Sequence, residues 1–212
     1  MRTPKSDIVI GNINPDWNAG LMNRFSYKNW MLSVLVDWQQ GGSVFSLDLY
    51  YGMGTGLYEE TDYTNDLGNP VRNSLEDGGG LILDGVTGDV TFNPDGTYTV
   101  TNTATNTIRV PGDNYRALGW ARNPNSKFVY DATYIKMREV VLTYTLPAKM
   151  FESSQFFNGA SFSLVGNNLW IISKDLTHAD PETGHTAGNI QGWQSGVMPT
   201  TRNIGFTVNL QF

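Results

Sequence analysis

Strict alternation of apolar and polar residues, kept up to the last residue, most limits what this sequence can fold into. Residues 203–212, NIGFTVNLQF, put Ile204, Phe206, Val208, Leu210 and Phe212 on one face and Asn203, Gly205, Thr207, Asn209 and Gln211 on the other. A side-chain period of two is the signature of a β-strand with one apolar face. No charge follows Arg202. The chain therefore stops in mid-strand, where a soluble domain usually ends in a few polar, poorly ordered residues.

The same pattern recurs upstream and predicts six strands, at about 18–28, 30–39, 44–52, 134–146, 160–172 and 202–212. The second carries Trp30, Leu32, Val34, Val36 and Trp38 on one face, and the third carries Phe45, Leu47, Leu49 and Tyr51. In the fourth, Lys136 and Arg138 share the parity of Val140, Leu142 and Tyr144, so the apolar band covers part of that strand or a bulge intervenes. Two long stretches rich in Gly, Asn, Asp and Thr, 53–133 and 173–201, read as elaborated loops, with a hairpin around Asn93-Pro94-Asp95-Gly96. No stretch reads as a helix, so the expected class is all-β and antiparallel.

Charged residues make up 16% of the chain, against about 25% in an ordinary soluble domain. A net charge of −6 without clustered Lys and Arg argues against nucleic acid. Cysteine is absent, which removes disulfides and thiolate metal sites. The first residues lack an apolar run long enough for a signal peptide, so either the chain is cytoplasmic or its true N-terminus lies upstream; the alternation favours the second.

Alternation alone permits a soluble sandwich with its apolar face inward or a membrane barrel with that face toward lipid. Aromatic residues cap both ends of the apolar face as a girdle would: Trp30 and Trp38 on one strand, Phe45 and Tyr51 on the next. Trp30 to Trp38 is roughly 27 Å of strand, or roughly 21 Å of height at a tilt of about 40°, near the apolar band of an outer-membrane barrel. The opposite face is Ser, Asn, Gln, Thr and Gly, which suits a polar lumen. Connections at 39–42 and 147–159 are short where the other two are long. With Phe212 at the periplasmic side, both long loops fall outside the cell, and so does the tight Tyr27-Lys28-Asn29 turn. Six strands cannot close a membrane barrel, whose smallest members have about eight, so this reading makes the chain part of something larger. The rival is a secreted β-sandwich adhesin or glycan-binding module.

Four motifs in order sharpen the choice. YIKMREVVLTYTLP (134–147), FSLVGNNLWIISKD (162–175), ADPETG (179–184) and MPTTRNIGFTVNLQF (198–212) resemble the C-terminal end of SusC/RagA-type TonB-dependent transporters, and NPDWNAGLMNRFSYKNWMLSVLVDWQQGG (14–42) resembles their preceding strands. The resemblance covers about half the chain. It implies the C-terminal part of a 22-stranded outer-membrane barrel whose plug and earlier strands are absent from this sequence. It further implies a SusD-like lipoprotein lid, TonB-ExbB-ExbD acting through the missing N-terminal part, and uptake of oligosaccharides or peptides. Phe206, Val208, Leu210 and Phe212 match the terminal signal read by the barrel-assembly machinery.

Catalytic patterns are weak. Glu59-Glu60 and Glu76-Asp77 are adjacent loop acids rather than a pair flanking a glycosidic bond. Gly78-Gly79-Gly80 lacks the Lys-Ser/Thr of a phosphate loop, and no G-x-S-x-G elbow exists. His178, Asp180, Glu182 and His185 supply metal-ligand chemistry at no common ligand spacing and read as a polar loop. No enzyme, cofactor or metal is expected. The aromatic residues of the loops, Tyr58, Tyr63, Tyr115, Trp120 and Trp193, are the candidates for substrate or partner contact.

Overall fold

The computed structural model describes residues 8–112, 117–121, 123–184 and 191–212. The chain divides into two compact units, Asn12–Val44 with Tyr130–Phe212, and Met1–Gly11 with Phe45–Val129. In chain order come β1 Trp17–Tyr27, β2 Trp30–Gln40, β3 Ser43–Ser46 and helix α1 Leu47–Thr55. Short strands follow: β4 Leu81–Ile82, β5 Val86–Phe92, β6 Tyr98–Thr105, β7 Arg109–Val110 and β8 Val129–Asp131. The chain closes with β9 Tyr134–Thr145, β10 Gly159–Lys174, β11 Trp193–Gln194 and β12 Asn203–Gln211.

The first unit is built on a five-stranded antiparallel sheet in the order β1-β2-β9-β10-β12. Its polarity is inverted relative to a soluble domain. The buried residues of its strands include Ser33, Gln39 and Lys136, while Leu21, Phe25, Leu164, Ile204 and Phe206 are 55–72% exposed. The register puts the apolar residues on one surface: Phe25 opposite Leu32, Leu32 opposite Leu142, Leu142 opposite Leu164, Leu164 opposite Phe206. A sandwich would cover that surface with a second sheet, and here it is open. Aromatic pairs sit at both ends, Trp17 with Trp38 at 5.0 Å between ring centres and Trp30 with Tyr144 at 4.6 Å.

The break in parity at Lys136 and Arg138 is a β-bulge. Leu35 pairs with Glu139 and Val36 with Met137, so Arg138 is the extra residue. Both Arg138 and Glu139 then fall on the polar face, and the apolar face resumes at Met137. Opposite the same point β10 has its own irregularity between Asn167 and Trp170, around Asn168 at φ 51°.

Two expectations need correction. The strand expected over 44–52 ends at Ser46 and continues as α1, and a helix is therefore present where none was expected. Ser46 caps it, its Oγ accepting from the Leu49 amide at 3.2 Å; Asp48 complements the positive end, and Gly56 terminates it at φ 79°. Tyr51 consequently lies on a helix and Phe45 on β3, outside the five-stranded sheet, so neither belongs to its aromatic ends. Tyr50 instead packs Phe45 at 5.5 Å and Phe128 at 5.2 Å within the second unit. With that strand removed, the Tyr27-Lys28-Asn29 turn falls on the same end of the sheet as the 146–158 connection and Phe212, opposite to its expected side. The two short connections now share one end and the two long ones share the other.

The stems of the long insertion are bound to each other. Gln39 Nε2 donates to Ala132 O at 3.1 Å, Ala132 N to Gly42 O at 3.0 Å, and Gly41 N to Thr133 Oγ1 at 2.9 Å. Within the second unit β5 and β6 form the hairpin expected around 93–96. Asn65 Nδ2 fastens the Gly78–Gly80 turn through the carbonyls of Gly78 and Gly80 at 2.8 and 2.9 Å.

A side chain at Gly79 would place Cβ 2.0 Å from the Asn73 carbonyl oxygen, whereas at Gly20 it would meet nothing within 4 Å. Gly79→Ala is expected to destabilise the second unit by about 1–3 kcal/mol, read as faster tryptic cleavage of residues 45–129. Gly20→Ala is expected to leave cleavage unchanged.

Candidate functional site

The polar face of the sheet carries a charge network that reaches across two strands to a distant loop. Arg138, thrown onto that face by the bulge, donates from Nε and Nη2 to Asp37 Oδ2 at 2.8 and 2.7 Å. Its Nη1 donates to Glu182 Oε2 at 2.8 Å, and its Nη2 also reaches Glu182 Oε1. Lys136 donates to Asp180 Oδ1 and, at 2.5 Å, to Glu182 Oε2. The Tyr134 hydroxyl lies 3.2 Å from Asp37 and 3.3 Å from Glu182; one proton serves one acceptor at a time.

Asp180 and Glu182 belong to the ADPETG motif, in a 3-10 turn over Pro181–Gly184. The turn is locally determined. Asp180 Oδ1 accepts the Glu182 amide at 3.1 Å, and its carbonyl accepts the Thr183 amide at 3.0 Å and hydroxyl at 2.6 Å. The other oxygen, Oδ2, accepts from the amide and the hydroxyl of Thr200, on the return limb of the loop. Leu176 and Pro181 are fully buried. Part of the 173–201 loop, expected as an external excursion, is thus a strap fastened to the polar face of the sheet.

The electrostatics follow from burial. Lys136 and Asp180 side chains retain 2% and 1% of their exposure. Desolvation pushes the Asp180 carboxyl upward, but the hydrogen bonds from Lys136 and Thr200 outweigh it and hold the group below its ordinary value. Glu182 behaves alike: burial opposes its charge, and Arg138 and Lys136 more than compensate.

The carboxylates considered as metal ligands are therefore spent on cations. Among the described residues no group of three or more His, Asp or Glu side chains is placed to hold an ion; His185 lies outside the described residues. Of the candidate contact aromatics, Tyr58 packs over Gly52 in the second unit, its hydroxyl kept protonated by burial and by the Asp48 and Glu60 carboxylates. Trp120, 40% exposed, stacks on Tyr50 at 6.1 Å, and Tyr63 is exposed in the same unit. Trp193 is exposed in the first unit, and Tyr115 lies outside the described residues. Tyr58, Tyr63 and Trp120 thus belong to the second unit and Trp193 to the first. Sequence reasoning passed over Asp37, Lys136 and Arg138 as functional residues. Their signal was present as a charge on a strand otherwise without one and as the parity break in 134–146.

Three proteins of Formosa agariphila named as TonB-dependent receptors are similar along nearly the whole chain. One is 28% identical over 97% of this chain and two are 24% identical over 96%. The chain spans 17–18% of the length of these relatives. No family model matches. Among solved structures, the RagAB peptide importer in its open-open state aligns with 94% of this chain and 17% of that one, at a TM-score of 0.57 and 14% identity. Its closed-closed state covers 94% and 18%, with a TM-score of 0.54 and 18% identity. The fold is that of the matching segment of the RagAB structures, and the resemblance carried by the four motifs stands.

Removing one partner of a buried ion pair costs about 3–5 kcal/mol. Lys136→Met is therefore expected to speed hydrogen exchange of the amides at 176–183 by at least roughly a hundredfold. A wild-type rate in that variant would contradict the clamp. The pH response has a definite sign. Depressed carboxyl values contribute stability above the ordinary carboxylate range, lost as pH falls through the folded-state values. Strap protection is expected to be flat from about pH 5 to 8 and to fall away below about pH 4.

Proposed function

We propose that this chain, homologous to TonB-dependent receptors along 97% of its length, forms five consecutive wall strands of an outer-membrane import barrel. The observation that carries the reading is the inverted polarity of the sheet. Apolar side chains face outward uncovered, while lysine, glutamine and serine are buried on the other side. A bilayer is the solvent that rewards this arrangement. The aromatic pairs Trp17–Trp38 and Trp30–Tyr144 sit where the two interfacial girdles of such a wall belong. The edges β1 and β12 have each one partner in this sheet. Unpaired backbone groups are not tolerated in hydrocarbon, so neighbouring strands must complete the wall.

In this reading the long connections, 41–133 and 175–202, lie on the extracellular side and the short ones on the periplasmic side. The strap over Asp180 and Glu182 narrows the lumen. Transport belongs to the complete assembly: a SusD-like lipoprotein captures an oligosaccharide or peptide, and TonB-ExbB-ExbD drives release through a plug. Tyr58, Tyr63, Trp120 and Trp193, with Tyr115, are proposed contacts for cargo or lipoprotein. Phe206, Val208, Leu210 and Phe212 form the outward face of the last strand and are offered to the barrel-assembly machinery.

The reading is tested by substituting neighbours of opposite face. Leu142→Arg is expected to cost about 2–4 kcal/mol near the bilayer midplane and to deplete folded protein from the outer-membrane fraction. Thr143→Arg, on the polar face, is expected to be tolerated. Equal behaviour of the two variants, or recovery of the wild-type protein in the aqueous fraction, would contradict the proposal.

A further inference from the structure

We infer that a notch beside Arg202 binds a phosphate group, offered by a lipid headgroup at the edge of the apolar band. The inference rests on the lipid-facing reading of the wall. Asn167 and Asn203 are the last paired residues of β10 and β12. Beyond them β10 bulges at Asn168, and residues 200–202 run alongside without strand pairing, held by Asn168 Nδ2 donating to Thr201 O at 3.3 Å. The gap is a cavity of about 150 Å³ lined by Lys136, Asn168, Trp170, Ile171, Thr200 and Arg202. The space takes a few water-sized groups, which suits a phosphate group.

The lining includes two cations, Lys136 and Arg202; Asp180 and Glu182 lie behind Lys136 and match its charge, and the Thr200 hydroxyl donates to Asp180, so Arg202 carries the charge offered to a ligand. Lys136 is 2% exposed, and two of its three N–H donors go to Asp180 and Glu182. The remaining proton has no oxygen partner among the described residues, although the Tyr134 ring centre lies 4.9 Å from Nζ. The two oxygens of Asp180 are taken up by Lys136, the Glu182 amide and Thr200. Arg202 is exposed and brings a fork of donors matched to phosphate oxygens.

Position selects the source. Trp170 pairs with Met137 on the outward face and is 59% exposed. Arg202 lies two residues before Ile204, the first outward apolar residue of β12. An indole and a guanidinium where an apolar band stops form an interfacial pair, with ring and stem in the apolar layer and charge at headgroup depth.

The test uses the full-length receptor that carries these residues, purified in an uncharged detergent, with binding followed by native mass spectrometry. Dioctanoyl phosphatidic acid is expected to bind saturably at one site, and dioctanoylglycerol is expected not to bind. Arg202→Gln should weaken the phosphatidic acid at least roughly tenfold, and Arg202→Lys should restore part of the loss. Displacement of the lipid by an equal concentration of inorganic phosphate supports the phosphate site with free phosphate as its source; failure of that displacement supports the headgroup. Unchanged affinity in Arg202→Gln, or diacylglycerol binding as tightly as phosphatidic acid, would overturn the inference. Arg202 lies outside the strand ladder, so a membrane-resident protein whose binding ignores Arg202→Gln sinks the notch alone. Absence of the wild-type protein from the membrane fraction sinks the wall reading with it.

Discussion

Everything distinctive about the first unit depends on Arg138 and Lys136 being held by Asp37, Asp180 and Glu182. Neither cation is tolerable on a strand face without partners, since desolvating an unpaired charge costs several kcal/mol. Asp37 on the neighbouring strand supplies one partner. The other two come from a loop more than forty residues away, so the network forms only when the ADPETG turn docks on the wall. Fixing that turn also fixes its return limb through Thr200, and with it the approach to β12. A bulge of one residue is what turns both Arg138 and Lys136 to the polar face. Without it the strand would alternate, and both cations would share the outward face of Val140 and Leu142.

The rest follows from solvent. In water a sheet with Leu21, Phe25, Leu164, Ile204 and Phe206 uncovered on one face would associate or collapse, because exposed apolar patches of that extent are not left free on soluble monomers. In a bilayer the same face is the stable one, and the polar face becomes the interior that needs organised hydrogen bonding. The charge network and the Thr143–Ser163 hydroxyl contact at 2.8 Å meet that need along β9 and β10. In the proposed wall the two open edges, β1 and β12, are where further strands attach.

Much of this was legible in the sequence, because strand periodicity reports a face without needing its partner. Ile204 to Leu210, Trp30 to Trp38 and Val140 to Tyr144 all lie on the face their alternation assigned. The interruption at Lys136 and Arg138 announced the bulge, although alternation left open which explanation held. The 44–52 segment misled because a short apolar run fits both periods: Phe45, Leu47, Leu49 and Tyr51 alternate, yet the Ser46 cap, Asp48 and Gly56 at the αL terminus decide for helix. That one miscount displaced the Tyr27-Lys28-Asn29 turn to the wrong end. Asp180 and Glu182 were visible as a polar cluster, but their partners were not, since nothing local ties residue 182 to residue 138.

The most direct test of the account is nitroxide scanning across the bulge of β9 in outer-membrane vesicles. Single labels at Met137, Arg138, Glu139 and Val140 report access to dissolved oxygen, which concentrates in lipid, and to a water-soluble nickel chelate. The account requires Met137 and Val140, three positions apart, to be lipid-accessible, with Arg138 and Glu139 both shielded from lipid between them. Regular alternation through the four positions would contradict the bulge and the network built on it. Protection of all four from both reagents would contradict the membrane wall itself.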